Sequence, residues 1–94
     1  MAVGRAERRE ARRERAIAVF GEDWAPIALD LLELTELAWH DCYAEVSPSE
    51  DIVEDMLVLS EGTIGQLVEA ALLGVTDWRD LKVAADEYRR RSAE

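Results

Sequence analysis

The chain has 94 residues and a formal net charge of −10 at pH 7, with 21 acidic residues against 11 lysines and arginines. This length fits one domain, and a hydrophobic content of 49% supports a packed core and excludes a disordered chain. Two prolines and five glycines are too few for the many turns of an all-β fold. The single cysteine, Cys42, cannot form an internal disulfide, so no oxidising compartment is indicated.

The charge is distributed unevenly along the sequence. Residues 1–20 contain six arginines and three glutamates, whereas residues 21–78 contain 14 acidic residues and no lysine or arginine. We therefore divide the chain into a basic N-terminal arm, residues 1–20, and an acidic helical domain, residues 21–94. A strongly acidic body repels nucleic acid and anionic membranes, and it favours a basic partner.

The arm is predicted to be a helix that is partly frayed. Between Arg5 and Arg15 the sequence has charges and alanines but no apolar stripe, so a helix there gains little from packing. Firm helix is expected only near Ile17 and Phe20, and Gly21 is expected to end it.

The second helix is predicted from about Ala25 to Glu45. Its core-facing residues are expected in one row with helical spacing: Ile27, Leu31, Leu34, Ala38 and Cys42. A second row is expected beside the first: Ala28, Leu32, Trp39 and Tyr43. Leu29 and Leu37 are expected among the acids on the opposite side, together with Glu33, Glu36 and His40.

Capping signals place the remaining helices. Ser47 is predicted to cap the third helix, with Pro48 at its first position and Glu50 completing a capping box. Glu50, Asp51, Glu54 and Asp55 are expected to face outward from it. Thr63 is predicted to cap the fourth helix with Gln66, and the last helix is predicted to begin at Asp77. The expected fold is all-α: a small bundle of four core helices with the basic arm attached.

The preferred functional hypothesis is a small regulatory or protein-interaction protein that is not an enzyme and binds a basic partner surface. Fourteen acids without one base in residues 21–78 exceed what solubility needs. The residues expected to bind the partner combine charges with two apolar anchors: Leu29, Asp30, Glu33, Leu37, Glu50, Asp51, Glu54 and Asp55.

A second hypothesis rests on paired acidic helices. Glu33-Leu34-Thr35-Glu36 supplies an E-x-x-E, and Asp51-Ile52-Val53-Glu54 supplies a second acidic pair. This arrangement resembles the all-α nucleotide pyrophosphatases related to MazG, although that family has E-x-x-D as its second element. The resemblance implies a hydrolase in which Glu33, Glu36, Asp51 and Glu54 hold Mg²⁺ through their oxygens. The preferred hypothesis needs no cofactor.

A third hypothesis uses the arm, whose Arg5, Arg8, Arg9, Arg12 and Arg13 would contact phosphates of a nucleic acid. The alternative is that the arm folds back on the acidic body. No apolar run reaches the length of a membrane span or follows the arginines as in a signal peptide, so we expect a cytoplasmic protein. Ten arginines against one lysine indicate a GC-rich bacterial source. A homodimer is left open.

Overall fold

The computed structural model describes residues 4–93, and this part of the chain forms five helices and no strand. The helices are α1 (Arg5–Phe20), α2 (Ala25–Tyr43), α3 (Glu50–Ser60), α4 (Ile64–Thr76) and α5 (Trp78–Ala93). The all-α class is therefore confirmed. None of these helices is both long and apolar enough to cross a membrane.

The helices pack around one apolar core, with α3 and α4 near its centre. Helix α3 packs against α4 and α5, α4 also contacts α2 and α5, and α1 packs against α2. The largest fully buried apolar side chains come from three helices: Met56, Leu67 and Leu81. Burying such side chains is the main favourable term in folding.

The arm differs from the expected frayed segment outside a four-helix core. Helix α1 is continuous over 16 residues, and its Ala16 and Phe20 are buried in the core. Arg12 is also buried, with only 4% of its side chain exposed. A helix without an apolar stripe can pack when its arginines reach carboxylates on the neighbouring helices. The core is thus built from five helices.

The rotation of α2 also differs from the prediction. Its buried face comprises Ala25, Ala28, Leu29, Leu32, Thr35, Glu36 and Trp39. Leu29 therefore belongs to the core, and its placement on the exposed side was wrong. Ile27 and Leu34, expected in the core, are largely exposed. Both faces have helical spacing, so periodicity alone could not choose between them.

The capping residues set where α3, α4 and α5 begin. Ser49 caps α3 by accepting a hydrogen bond from the Ile52 backbone amide, so the predicted cap at Ser47 was wrong by two residues. Thr63 accepts a hydrogen bond from the Gln66 amide, which confirms the predicted cap of α4. Helix α5 begins at Trp78, one residue after the predicted start at Asp77, and the Asp77 carboxylate accepts a hydrogen bond from the Arg79 amide.

Gly74 lies where α4 passes closest to the rest of the core. A Cβ atom at this position would lie 3.0 Å from Met56 Cε and 3.1 Å from Leu81 Cδ2. The absence of a side chain lets three helices approach one another, and α4 continues through Gly74 to Thr76. Gly74 therefore serves packing rather than marking a helix break.

Candidate functional site

Helix α1 lies on the acidic surface of α2 and α3, and a buried carboxylate marks the centre of their contact. The Glu36 side chain is only 3% exposed. Its Oε2 atom accepts hydrogen bonds from Arg8 Nε at 2.6 Å and from Arg12 Nη1 at 2.9 Å. Its Oε1 atom accepts a third, from Arg8 Nη2 at 3.0 Å. Both oxygens of Glu36 are thus engaged by guanidinium groups, which is the strongest arrangement for a buried carboxylate.

Arg12 also links Glu36 to α3 and to the segment that precedes α3. Arg12 Nη2 donates to Glu50 Oε2 at 2.7 Å and to Ser47 Oγ at 3.0 Å. Burial alone would raise the pKa of Glu36, but the hydrogen bonds from Arg8 and Arg12 outweigh it and hold that pKa below its ordinary value. We call Arg8, Arg12, Glu36, Glu50 and Ser47 the Glu36 cluster.

Two further ion pairs flank the Glu36 cluster at the surface. Arg9 Nη1 lies 2.8 Å from Asp30 Oδ1 and 3.3 Å from Glu33 Oε1. Arg15 donates to Glu54 on α3, with Nε 3.0 Å from each carboxylate oxygen. Four of the acids proposed to bind a partner are therefore paired with arginines of the chain's own first helix, although Asp30 and Glu50 remain 66% exposed.

Asp55 differs from the prediction that it faces outward. Its side chain is 2% exposed and lies between α3 and α5. Arg89 Nη1 approaches Asp55 Oδ1 to 2.7 Å, and Lys82 Nζ lies 3.6 Å from Oδ2. The prediction was wrong because α5 packs over this side of α3, and Asp55 is not available to a partner.

The four carboxylates of the magnesium hypothesis are not brought together. Glu33, Glu36 and Glu54 each pair with different arginines of α1. Asp51 is exposed beside a cleft that Trp39 and Lys82 also line. Within residues 4–93, no three histidine, cysteine or acidic side chains are grouped so that they could hold a metal ion.

The five arginines of the nucleic-acid hypothesis divide into two groups. Arg8, Arg9 and Arg12 bind carboxylates of the acidic body. Arg5 and Arg13 are exposed, and no ion pair joins either of them to another residue between 4 and 93. Most of the arm's charge is thus directed inward, as in the alternative that the arm folds back on the body.

Several polar residues that could support catalysis lie apart. Cys42 and His40 are exposed on α2, and Ser47 is held by Arg12. A cavity of about 420 Å³ between α1 and the start of α2 is lined by apolar and charged side chains without serine, cysteine or histidine. No nucleophile with an adjacent base is assembled there.

The clearest unpartnered surface is an apolar groove between α2 and α4. Its lining comes from both helices: Leu31, Leu34, Thr35, Ala38, Val68, Ala71, Leu72 and Val75. We call this surface the α2–α4 groove. Leu34 is 61% exposed and Leu72 is 55% exposed, whereas Leu31, Ala71 and Val75 form a half-buried floor. Its volume of about 160 Å³ shows that the groove is shallow.

The charged residues of α2 beside the α2–α4 groove are acidic. Asp30 and Asp41 lie four residues before and seven residues after Leu34, which places both on the same side of α2 as Leu34. Glu69 on α4 is exposed too, but it lies outside the groove, beside Gln66 and Leu73 on another side of α4. Neither α2 nor α4 contains a lysine or arginine.

Sequence reasoning did not find the α2–α4 groove as a surface, although a signal was present. The rows of apolar residues on α2 covered about half of its circumference, which is more than one packed face requires. Leu37, the second predicted anchor, is 50% exposed and lies beside Val46 and His40, outside the α2–α4 groove.

In comparisons with known proteins, no family model, no curated protein and no solved structure matches the chain. The function is therefore argued from the geometry alone.

Proposed function

We propose that this chain is a non-catalytic protein-interaction module that binds its partner through the α2–α4 groove. The observation that carries the proposal is the continuity of the apolar lining, in which Leu34 and Leu72 stand exposed above a half-buried floor. Single exposed apolar residues are ordinary on protein surfaces. Contiguous apolar surfaces rimmed by polar residues are typical of interaction sites.

The energetics favour Leu34 and Leu72 as the anchors of binding. Burying a leucine side chain fully contributes about 1.5–3 kcal/mol, and both leucines have most of that gain still to make. Leu31 and Val75 are already half-buried against the core, so they supply a shaped floor rather than new buried area. Interfaces commonly concentrate their binding energy in a few such central residues.

In this proposal most acids of the body do not form the partner-binding face that the sequence suggested. Asp30, Glu33, Glu50 and Glu54 pair with arginines of α1, so they stabilise the fold. Exposed acids elsewhere mainly set the association rate and exclude acidic proteins. Affinity then comes from the α2–α4 groove, and a partner with basic residues remains the preferred one.

The test compares a double variant of the groove with a matched surface variant. Leu34→Ser with Leu72→Ser removes both anchors without adding charge, and Val83→Ser changes a 62% exposed residue on α5. Each protein is used to capture partners from an extract of the source organism, after circular dichroism has shown equal helix content.

We expect the groove variant to bind a specific partner at least about tenfold more weakly than the wild type, whereas Val83→Ser should bind that partner as the wild type does. Equal recovery of every partner by the groove variant and the wild type would overturn the proposal, because binding would then not involve the α2–α4 groove.

A further inference from the structure

The geometry points to an amphipathic helix with basic residues beside its apolar stripe as the occupant of the α2–α4 groove, an inference that rests on the proposed function. The groove residues of α2 run from Leu31 to Ala38, and those of α4 run from Val68 to Val75. Each set covers two helical turns, or about 10 Å. A groove of this length between two helices matches a third helix that presents apolar residues three and four positions apart.

The lining itself has the shape that helix packing requires. The small side chains of Ala38 and Ala71 lie between the larger Leu34 and Leu72, so ridges alternate with depressions along the surface. Ridges of one helix fit into such grooves of its neighbours. An extended strand would instead need unpaired backbone donors and acceptors, and the helical α2 and α4 use theirs internally.

The charges beside the α2–α4 groove determine the expected charge of the partner. The Asp41 side chain is 88% exposed and Asp30 is 66% exposed, although Asp30 also pairs with Arg9. Neither α2 nor α4 has a lysine or arginine to offset these acids. Lysines or arginines beside the stripe of the incoming helix would therefore meet carboxylates on the α2 side of the groove.

The same charges argue against a second copy of this chain as the occupant. In a two-fold symmetric dimer the same surface of both copies would be apposed. The exposed Asp41 of each copy would then lie beside a surface whose two helices carry no lysine or arginine to pair with it. A two-fold dimer would therefore lack the complementary charge that a basic helix supplies.

The test uses two synthetic peptides of about 18 residues, or five helical turns, with leucines at the same helical spacing. One peptide carries lysines beside the leucine stripe, and the other carries glutamates there. Binding to the full chain is measured by calorimetry at about 0.05 M and about 0.3 M salt, which changes the screening of exposed charges. Sedimentation of the protein alone reports self-association.

We expect the lysine peptide to bind at least about tenfold more tightly than the glutamate peptide, with affinity falling as salt rises. Leu34→Ser with Leu72→Ser should abolish this binding. Asp41→Asn should weaken it severalfold, whereas Glu14→Gln, which changes an exposed acid on α1, should not change it.

The remaining outcomes separate this inference from the proposed function. Equal binding of both peptides, lost in the groove variant, would overturn the basic partner and leave the α2–α4 groove as an interaction surface. Self-association lost in the groove variant, with neither peptide bound, would identify a second copy and overturn the inference. Binding of the lysine peptide that survives in the groove variant would overturn it as well, since the contact would lie elsewhere on the acidic body.

Discussion

Helices α1 and α5 both bring arginines to a buried carboxylate of the acidic body, but they do so differently. Glu36 receives hydrogen bonds on both oxygens from Arg8 and Arg12, and Arg12 is itself buried. Asp55 receives a close contact from Arg89 on one oxygen only. Among the described residues, its Oδ2 has no hydrogen-bond partner, and Lys82 lies 3.6 Å away.

The difference between Glu36 and Asp55 shows that the stability lost when a buried acid is removed depends on how exposed its basic partners are. Arg89 is 40% exposed and Lys82 is 45% exposed, so both can return to water if Asp55 is lost. Arg12 has no such freedom, since it is 4% exposed. A buried charge left without its partner is far more costly than a pair removed as a whole.

The largest expected effect is that of Glu36→Gln. The substitution removes the carboxylate that Arg8 and the buried Arg12 share, and Arg12 keeps only Glu50, so we expect the free energy of unfolding to fall by about 3–5 kcal/mol, the contribution of two charge-assisted hydrogen bonds. Urea unfolding measures the loss. Glu33→Gln is the matched control, because Glu33 forms a half-exposed pair with Arg9 and should cost less than about 1 kcal/mol. Equal losses in the two variants would mean that burial does not distinguish these carboxylates.

The second prediction concerns the pH dependence that Glu36 causes. Its pKa in the folded protein lies below the ordinary value of 4.5, so folding favours the ionised form. This contribution to stability is complete above the ordinary pKa and is lost as the pH falls through it toward the folded value. The stability gap between the wild type and Glu36→Gln should therefore narrow between about pH 7 and about pH 3 in urea unfolding. A gap that stays constant would contradict the assignment to Glu36.

A smaller loss is expected for Asp55→Asn. The change removes a charge-assisted hydrogen bond from Arg89, which contributes about 1.5–3 kcal/mol, but Arg89 and Lys82 can be solvated afterwards. Thermal and urea unfolding should show a cost below that of Glu36→Gln. Asp86→Asn serves as the control, since Asp86 also contacts Arg89 but is exposed and should cost less than about 0.5 kcal/mol. A loss as large as that of Glu36→Gln would remove the contrast between the two buried acids.

The smallest effects concern the two serines before and at the start of α3. Ser49→Ala removes the helix cap and should cost about 1 kcal/mol. Ser47→Ala removes one neutral acceptor from Arg12, which retains Glu36 and Glu50, and should cost about 0.5–1 kcal/mol.

Combining each serine variant with Arg12→Met separates the roles of the two serines. The effect of Ser47→Ala should disappear in that background and the effect of Ser49→Ala should persist.

Part of the fold could be predicted from local sequence, because its causes are local. The cap at Thr63 was found from residue type and spacing, since its side-chain oxygen reaches an amide three residues later, and the start of α5 was predicted to within one residue. The cap of α3 was misplaced because Ser47 and Ser49 flank Pro48 and offer the same chemistry. Only the observed hydrogen bond to Ile52 distinguishes them.

The candidate site could be predicted only in kind. The sequence indicated an acidic, helical protein and led to the hypothesis of an interaction role, but it placed Leu29 on the exposed side because α2 has apolar residues on two faces. Leu29 faces the core and Leu34 faces solvent, and nothing in their spacing decides this. The choice depends on where α1, α4 and the buried Glu36 lie around α2.

The sequence by itself determined the helical class, most helix boundaries and the separation of bases from acids, since these follow from propensity, spacing and composition. Tertiary structure decided which charged side chains pair with one another. Arg8 and Arg12 meet Glu36 across 28 and 24 residues of chain. Such contacts depend on packing between helices, so the basic arm became a structural helix and the apolar α2–α4 groove was left open.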